Sequence, residues 1–336
     1  NTGVMNITGT YNGTLEDAIA TTGWNESLDL KIIGNGSNAT WTDFKFNYSL
    51  GKPNKLHIEN ISLITTTLDD YAIYSRDTIT TMKDVTITGY SGKEGETGGG
   101  AIRIRNADYS SENHNIENPS IVNVSVSNCC RGYRIQDSSN IYIKNCTSTN
   151  VTDNAYYFAA GSYTSADGCT NCIFDSCTSN TAGQVAFMNI GGSNNTFKDC
   201  TMDGSRGAGC GVYNTNGQIN LINCSFTNAN TSETQTPWGG NTDDFGGAVC
   251  GLSVNTGDVN GKLMIQDCSF ISGSGSVYWK TEPGVMEVSN NTVMLENFPG
   301  GLVATSSAII SPFIYTIVGN TGVMNITGTY NGTLED

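Results

Sequence analysis

The chain carries one seventeen-residue sequence twice, once at each end. Residues 1–17 and 320–336 both read NTGVMNITGTYNGTLED, at an offset of 320 − 1 = 319 residues. Self-similarity of this kind constrains the architecture before any other signal does, because each copy has to fold in the same way. We therefore interpret residues 1–319 as one full tandem repeat forming a single domain. Residues 320–336 are then the start of the next identical repeat.

A shorter period runs inside the long one. Cys177, Cys200 and Cys224 are 200 − 177 = 23 and 224 − 200 = 24 residues apart, and their surroundings are alike. The shared template is an apolar residue, any residue, Asn or Asp (once Ser), then Cys or an aliphatic residue, then Ser or Thr. It is seen in the segments IKNCTST (143–149), FDSCTSN (174–180), FKDCTMD (197–203), LINCSFT (221–227) and IQDCSFI (265–271).

The template predicts an all-β fold. Its apolar residues alternate at strand spacing, and its Asn or Asp suits a corner, where a short polar side chain tolerates unusual backbone angles. Equivalent asparagines of stacked coils can form amide ladders. We predict a right-handed parallel β-helix of about eleven or twelve coils. The helix-start pattern Thr14-Leu-Glu-Asp17 adds one short helix near the start, at about residues 15–21.

Nine of the eleven cysteines fall into two groups, inward template positions and candidate disulfides. Five replace Val or Ile at the inward position of the template, which predicts small buried side chains with inert thiols: Cys146, Cys177, Cys200, Cys224 and Cys268. Cys210 and Cys250 occupy comparable positions of consecutive second strands and are candidates for one disulfide. Cys169 and Cys172, in GCTNC, are candidates for a small disulfide ring.

Two kinds of surface position are predicted. Asn-x-Ser/Thr sequences in loops are candidate glycosylation sites at Asn12, Asn25, Asn35, Asn38, Asn47 and Asn230. The second strands give an outward column of Arg103, Arg134, Tyr157, Tyr213, Ser253 and Tyr278. Its tyrosines Tyr157, Tyr213 and Tyr278 form a candidate contact stripe for sugar rings or a neighbouring fibre. The alternative is that they are ordinary β-surface tyrosines.

Three segments resemble a known family. NCSFTNAN (223–230), FGGAVCG (245–251) and GGGAIRI (98–104) are similar to the repeats of polymorphic outer-membrane proteins and related adhesin-like surface proteins. The resemblance implies a right-handed β-helix, secretion, surface display and an adhesive or structural role. It supplies no catalytic residues.

Charge and hydropathy limit the classes of partner that the chain can bind. Asp and Glu number 31 against 16 Lys and Arg, a net charge of −15, so nucleic acid is a poor partner. No apolar run reaches membrane-spanning length, so we expect no membrane insertion in this segment. An extracellular or cell-surface location is expected.

Catalytic and metal-binding patterns are weak. Asn241-Thr-Asp243-Asp244 resembles a fragment of the polygalacturonase pattern, but its acids lie in a long loop, and His57 and His114 are far from it in sequence. Calcium at Asp243–Asp244 or Asp69–Asp70 has no spaced ligand set behind it. We therefore expect no enzymatic activity, no catalytic or metal-binding residues and no cofactor.

The sequence predicts a non-enzymatic structural protein whose tandem repeats build an extracellular filament, stalk or sheath. Its partners would be further copies joined end to end, with lateral self-association as an addition. The alternative is an adhesin that binds glycans or other cells. A polysaccharide lyase or hydrolase is the second alternative.

Overall fold

The short apolar segments of the template form strands, and the polar residues between them form corners. A computed structural model describes residues 2–13, 15, 29–47, 53–66, 70–91, 99–161, 167–183, 185–205, 210–215, 217–229, 247–253, 262–270, 276–281, 287–288, 291–296, 301–318 and 324–335. The chain winds as a right-handed parallel β-solenoid, and every described strand pair is parallel. The predicted fold class is confirmed.

The strands, in chain order, are short. The first fifteen are β1 (Thr2–Ile7), β2 (Thr10–Asn12), β3 (Asp29–Gly34), β4 (Thr40–Thr42), β5 (Phe46–Asn47), β6 (Lys55–Ile64), β7 (Tyr71–Arg76), β8 (Ile79–Thr88), β9 (Gly100–Arg105), β10 (Ile121–Ser127), β11 (Tyr133–Gln136), β12 (Tyr142–Lys144), β13 (Thr147–Val151), β14 (Tyr156–Ala159) and β15 (Ile173–Asp175). The others are β16 (Thr178–Ala182), β17 (Phe187–Ile190), β18 (Asn195–Lys198), β19 (Thr201–Ser205), β20 (Cys210–Thr215), β21 (Gln218–Ile222), β22 (Ser225–Ala229), β23 (Gly247–Ser253), β24 (Lys262–Gln266), β25 (Ser269–Phe270), β26 (Ser276–Thr281), β27 (Glu287–Val288), β28 (Asn291–Glu296), β29 (Gly301–Val318) and β30 (Met324–Glu335).

Each coil contributes to three stacks of strands. Sheet A holds the strands before the template corner, for example β3, the first half of β6, the first half of β8, β12 and β15. Sheet B holds the strands after that corner, for example β13, β16, β19 and β22. Sheet C holds β7, β9, β11, β14, β17 and β20. Seven turns follow one another between Lys55 and Ala229.

The corner between sheets A and B uses left-handed backbone angles. The template residue lies there with φ of 51–55° in Asn60, Asp84, Asn123, Asn145, Ser176, Asp199, Asn223 and Asp267. Asn and Asp reach this region more easily than other residues with a side chain, because their short polar groups bond locally. Ladder bonds join some neighbours, since Asn123 donates to Asp84 over 2.9 Å and Asn223 donates to Asp199 over 2.6 Å.

The core fills the inside of the coils. Tyr133 and Tyr156 stack at 5.0 Å between ring centroids, and Phe174 and Phe197 stack at 5.3 Å. The buried Tyr156 hydroxyl donates to the carbonyl of Cys146 at 2.8 Å, so its polar tip is satisfied although the ring is fully enclosed. Side chains of the same type therefore stack along the axis, at the spacing of neighbouring coils.

Two predictions concern parts of the chain that the structure describes incompletely. Leu15 is helical and buried, whereas the rest of the predicted helix at residues 15–21 lies outside the described residues. The count of eleven or twelve coils refers to the whole long repeat and stays a prediction, as does its division at residue 319.

Replacement of Asn123 tests the corner. We expect Asn123→Ala to destabilise the fold by about 1–2 kcal/mol, because the left-handed backbone strains a Cβ that no side-chain bond compensates. The loss of the ladder bond adds about 0.5–1.5 kcal/mol. Asn123→Gly loses the ladder bond without the strain, so the control unfolds at higher denaturant concentration than the alanine variant. Equal stability of the two variants would contradict a left-handed corner at this residue.

Candidate active site

Three polar side chains stand side by side on the outer face of sheet A. Lys31 of β3 pairs in register with His57 of β6, and His57 pairs with Thr81 of β8. Neighbouring coils are about 4.8 Å apart, so the three side chains are direct neighbours although 24 or more residues separate them in sequence. Their chain neighbours Leu30, Leu56 and Thr80 point to the buried side, where each is 0% exposed.

The loop after β9 adds two more groups to this place. Residues 106–119 fold back beside the start of sheet A and bring Glu112 and His114 to it. Together they enclose a groove of about 310 Å³, hereafter the sheet A groove. Its lining is Asp29, Leu30, Lys31, Lys55, His57, Ile79, Thr81, Glu112 and His114. Both histidines of the chain therefore face one groove.

A hydrogen-bonded chain runs through His57. Its Nε2 is 3.1 Å from Glu59 Oε2, and its Nδ1 is 2.8 Å from Thr81 Oγ1. An ionised carboxylate only accepts hydrogen bonds, so the proton of the neutral imidazole lies on Nε2. Nδ1 then accepts the hydroxyl proton of Thr81. The order hydroxyl, imidazole, carboxylate is the one that activates a hydroxyl group for proton transfer.

The carboxylates of the site are held in their charged form. The hydrogen bond from His57 lowers the pKa of Glu59, and Lys83 Nζ at 3.4 Å from its Oε1 adds to the effect. The hydrogen bond from Lys55 Nζ, 2.6 Å long, lowers the pKa of Glu112. Neither glutamate therefore carries a proton to donate at neutral pH.

His114 is oriented by its own loop. Its Nδ1 donates to the carbonyl of Asn118 at 3.1 Å, and its ring packs 5.6 Å from that of Tyr109. Tyr109 is anchored in turn, because its hydroxyl donates to the Thr80 carbonyl at 2.8 Å. Through Tyr109, His114 is thus held against β8, the strand that carries Thr81.

The five template cysteines stack inside the coils. Cys146, Cys177, Cys200, Cys224 and Cys268 are at most 2% exposed, and backbone bonds link the coils beside them, as from Thr201 N to the Cys177 carbonyl at 2.9 Å. Burial raises the pKa of the Cys177 thiol well above its usual range. These thiols lie where the template places them, away from the groove.

The two candidate disulfides are not supported. Cys169 and Cys172 are free, fully buried thiols, and their sulfur atoms donate to the carbonyls of Ile135 at 3.1 Å and Ser138 at 3.4 Å. The backbone register pairs Cys210 with Gly247 and Tyr213 with Cys250. The two cysteines are therefore offset by three positions instead of facing each other.

The tyrosine stripe was expected to be exposed, and this is wrong for the two members whose side chains are described. Tyr157 is 3% and Tyr213 is 5% exposed, because they pack into a second apolar cluster with Met188 and Ile190 outside the main core. The column itself runs Arg103, Arg134, Tyr157, Met188, Tyr213, Cys250 and Tyr278. Cys250 holds the place predicted for Ser253.

The other predicted surface positions are only partly described. Asn12, Asn35 and Asn38 are exposed and Asn47 is half-buried, whereas Asn25 and Asn230 lie outside the described residues. Asp69, Asp243 and Asp244 also lie outside them, and Asp70 pairs with Lys45 at 2.6 Å. Among the described residues, no three His, Cys, Asp or Glu side chains cluster as metal ligands.

Within the same residues, no helix has both the length and the apolar character needed to cross a membrane.

Comparisons with known proteins give structural neighbours only. No family model matches the chain, and no curated protein does. The catalytic domain of a GH87 alpha-1,3-glucanase in complex with nigerose is similar at 11% identity and a TM-score of 0.48, over 98% of this chain and 68% of that chain. An alginate lyase from Paenibacillus sp. str. FPU-7 is similar at 11% identity and a TM-score of 0.33, over 98% and 99%.

These neighbours correct the functional prediction. The sequence led us to expect a filament, stalk or sheath protein without enzymatic activity, whereas the neighbours are catalytic domains of polysaccharide-cleaving enzymes. No family model supports the resemblance to outer-membrane surface repeats, so the part of it that the structure supports is the β-helix. Likeness at this identity concerns the fold, and the activity has to be argued from the residues of this chain.

A carboxyl NMR titration tests the charges of the groove. We expect Glu112 to titrate below the ordinary range of glutamate and Lys55→Met to raise its pKa, because the ammonium that stabilises the charged form is gone. Glu59 serves as the internal control, since its partners are His57 and Lys83. Both lowered pKa values also mean that stability falls as the pH drops through them, since the unfolded chain then binds more protons. An unchanged pKa of Glu112 in the variant would contradict the 2.6 Å contact with Lys55.

Alkylation of the unfolded chain without reductant tests the cysteine assignment. We expect Cys169 and Cys172 to take up one label each, because both are free thiols. In the native state both should stay unlabelled, since neither is exposed to solvent. Recovery of an unlabelled peptide in which a disulfide joins Cys169 and Cys172 would contradict this assignment.

Proposed function

We propose that the chain is a carbohydrate-active enzyme that cleaves a polysaccharide in the sheet A groove. The observation that carries this proposal is the hydrogen-bonded chain Thr81–His57–Glu59, of which Thr81 and His57 line the sheet A groove. Proton transfer by positioned side chains is the core of glycosidic bond cleavage, and it requires such groups on neighbouring rigid elements. Two adjacent coils of a solenoid, β6 with His57 and Glu59 and β8 with Thr81, meet that requirement.

The chemistry that these groups support is an elimination. Thr81 Oγ1 takes the proton from the ring carbon that carries the carboxylate of a uronic acid sugar, while its own hydroxyl proton passes to His57 Nδ1. Glu59 stabilises the imidazolium that forms. A carbon–carbon double bond forms and the glycosidic carbon–oxygen bond breaks. The leaving oxygen receives, through a water molecule, the proton that the imidazolium releases, so that His57 returns to its neutral form. Lys31 lines the groove and would neutralise the sugar carboxylate, which makes the neighbouring proton more acidic.

Hydrolysis fits these groups less well. A glycoside hydrolase needs one carboxylic acid that keeps its proton near neutral pH, which requires a raised pKa. Glu59 and Glu112 both have a lowered pKa, because a histidine and a lysine bind them. The described glutamates of the site are thus suited to stabilise positive charge and unsuited to donate a proton.

Cleavage of acidic and neutral polysaccharides by the full chain tests the proposal. We expect ultraviolet-absorbing unsaturated products from a polyuronate such as alginate, and none from an alpha-1,3-glucan. Thr81→Val should lower kcat/KM by about 10²–10⁴-fold, the usual contribution of general acid–base catalysis. Thr81→Ser keeps the hydroxyl and should restore most of the activity.

The matched control is Thr196→Val. Thr196 lies on the same row of sheet A four coils further on, so this variant removes an equivalent hydroxyl away from the groove. It should retain wild-type kcat/KM. The proposal fails if the wild-type chain cleaves none of these polymers, or if Thr81→Val keeps full activity with an unchanged melting temperature.

Location and assembly are part of the same proposal. We propose that the enzyme acts outside the cell, where polysaccharides of this kind are met, and that its units follow one another end to end. The pairing of the repeated segment supports the second point. Its first copy forms β1, which pairs with β3, and its second copy forms β30, which pairs with β29. One sequence thus accepts a partner strand on either side, as a continuing array requires.

A further inference from the structure

The arginines of the chain are concentrated on one face. The sequence has six, of which Arg76, Arg103, Arg105 and Arg134 are outward residues of β7, β9 and β11 on sheet C. The register places Arg103 directly beside Arg134, and Arg76 directly beside Arg105. These four residues are hereafter the arginine patch. It is a positive surface on a chain whose net charge is −15, and its outer arginine Arg76 has Asp77 at 3.7 Å from its Nε.

Arg103 and Arg134, the two directly paired arginines in the middle of their strands, have no carboxylate partner among the described residues. Arg105 has Asp137 at 3.6 Å from its Nε. Arg103 donates instead to the amide oxygen of Gln136 at 2.7 Å, and Arg134 lies over a tyrosine ring. The Nε atoms of Arg103 and Arg134 are both buried without a hydrogen-bond acceptor. Like charges on directly paired strand positions repel each other, and among the described residues only the Gln136 amide and tyrosine rings, no carboxylate, offset this repulsion.

Aromatic rings hold these two guanidinium groups in place. The carbon atom of the Arg103 guanidinium is 4.4 Å from the ring centroid of Tyr74, and that of Arg134 is 5.2 Å from the ring centroid of Tyr157. Tyr74 and Tyr157 flank the arginine pair on the same row of sheet C. Stacking of this kind fixes the plane of a guanidinium before any ligand binds.

We propose that the arginine patch binds the anionic groups of an acidic polysaccharide. Planar guanidinium groups match carboxylate and sulfate groups bidentately, and two of them on adjacent coils can bind a polymer that carries one anionic group after another. This inference rests on the proposed function and names its substrate class, a polymer of uronic acids or sulfated sugars.

The patch adjoins the sheet A groove around one corner of the coil. Arg76 ends β7, and Ile79, which lines the groove, begins β8 three residues later. Three residues span at most about 10 Å. The patch is therefore near enough for one chain of sugars to reach both places, and in the groove Lys31 would meet a further anionic group.

Affinity electrophoresis of the full chain tests this inference with three polymers: polygalacturonate, dextran sulfate and uncharged dextran. Thr81→Val serves as the background, so that binding is measured without turnover. Arg103→Gln and Arg134→Gln should each weaken binding of the anionic polymer at least about 10-fold, as expected for a lost charge-assisted hydrogen bond. Lys198→Gln removes one exposed charge of sheet A as the control, and should leave the affinity unchanged.

The two anionic probes separate the possible sources of charge. Binding of polygalacturonate alone identifies a carboxylate site, and binding of dextran sulfate alone identifies a sulfate site. Wild-type affinity of both glutamine variants would overturn the inference, as would equally tight binding of dextran. Arg103→Lys keeps the positive charge but loses the planar pair of N–H donors of the guanidinium. This variant should therefore bind the anionic polymer with intermediate affinity, even if a glutamine variant folds poorly.

The outcomes for patch and groove are independent. If the wild-type chain binds the anionic polymer through the arginines but cleaves none of the polysaccharides, the binding role of the arginine patch is supported and the proposed enzymatic activity is refuted. If Arg103→Gln and Arg134→Gln change neither cleavage nor binding, only the binding role of the arginine patch is refuted.

Discussion

The parallel backbone ladder between neighbouring coils is the constraint on which the rest of the structure depends. Each coil finds the hydrogen-bond partners of its strands in the coils before and after it. The ladder continues only if every coil turns at the same place, and the left-handed corner residues secure this. The left-handed corner is therefore a condition of the fold, one that Asn and Asp meet most easily and that Ser176 meets once, and the stacked core follows from it.

The same ladder makes the candidate site possible. A helix of stacked coils turns a sequence separation of 24 residues into direct contact, so that His57 and Thr81 meet across one coil boundary. Such neighbours are held by the whole sheet beneath them, which fixes their side chains more firmly than a loop would. The loop that carries Glu112 and His114 is then needed only to close one side of the groove.

The sequence predicted what depends on the repeating template and missed what depends on departures from it. The buried cysteines and the corner residues follow from periodicity, because every coil repeats the same inward and outward pattern. The period of 24 between IENISLI (58–64) and MKDVTIT (82–88) also aligned His57 with Thr81, and that signal could have been used. Glu112 and His114 lie in an insertion that has no period, so no pattern placed them near sheet A.

Exposure was the other quantity that periodicity could not give. Alternation along sheet C correctly put Tyr157 and Tyr213 on its outer face, yet a second apolar cluster encloses them there. The alignment from glycine to glycine also misplaced the strand of Cys250 by three residues, since insertions before the strand shift its register. Strand direction follows from local sequence, whereas register and burial depend on neighbouring coils.

The central claim is that stacked coils join Thr81, His57 and Glu59 into one proton-transfer chain, and the protonation state of the imidazole reports on it most directly. Nitrogen NMR of the His57 ring, with Thr81→Val for comparison, measures which nitrogen carries the proton. The account predicts a neutral ring protonated at Nε2, with an Nδ1 signal that shifts when the Thr81 hydroxyl is removed. A proton on Nδ1, or an Nδ1 signal indifferent to Thr81→Val, would contradict it.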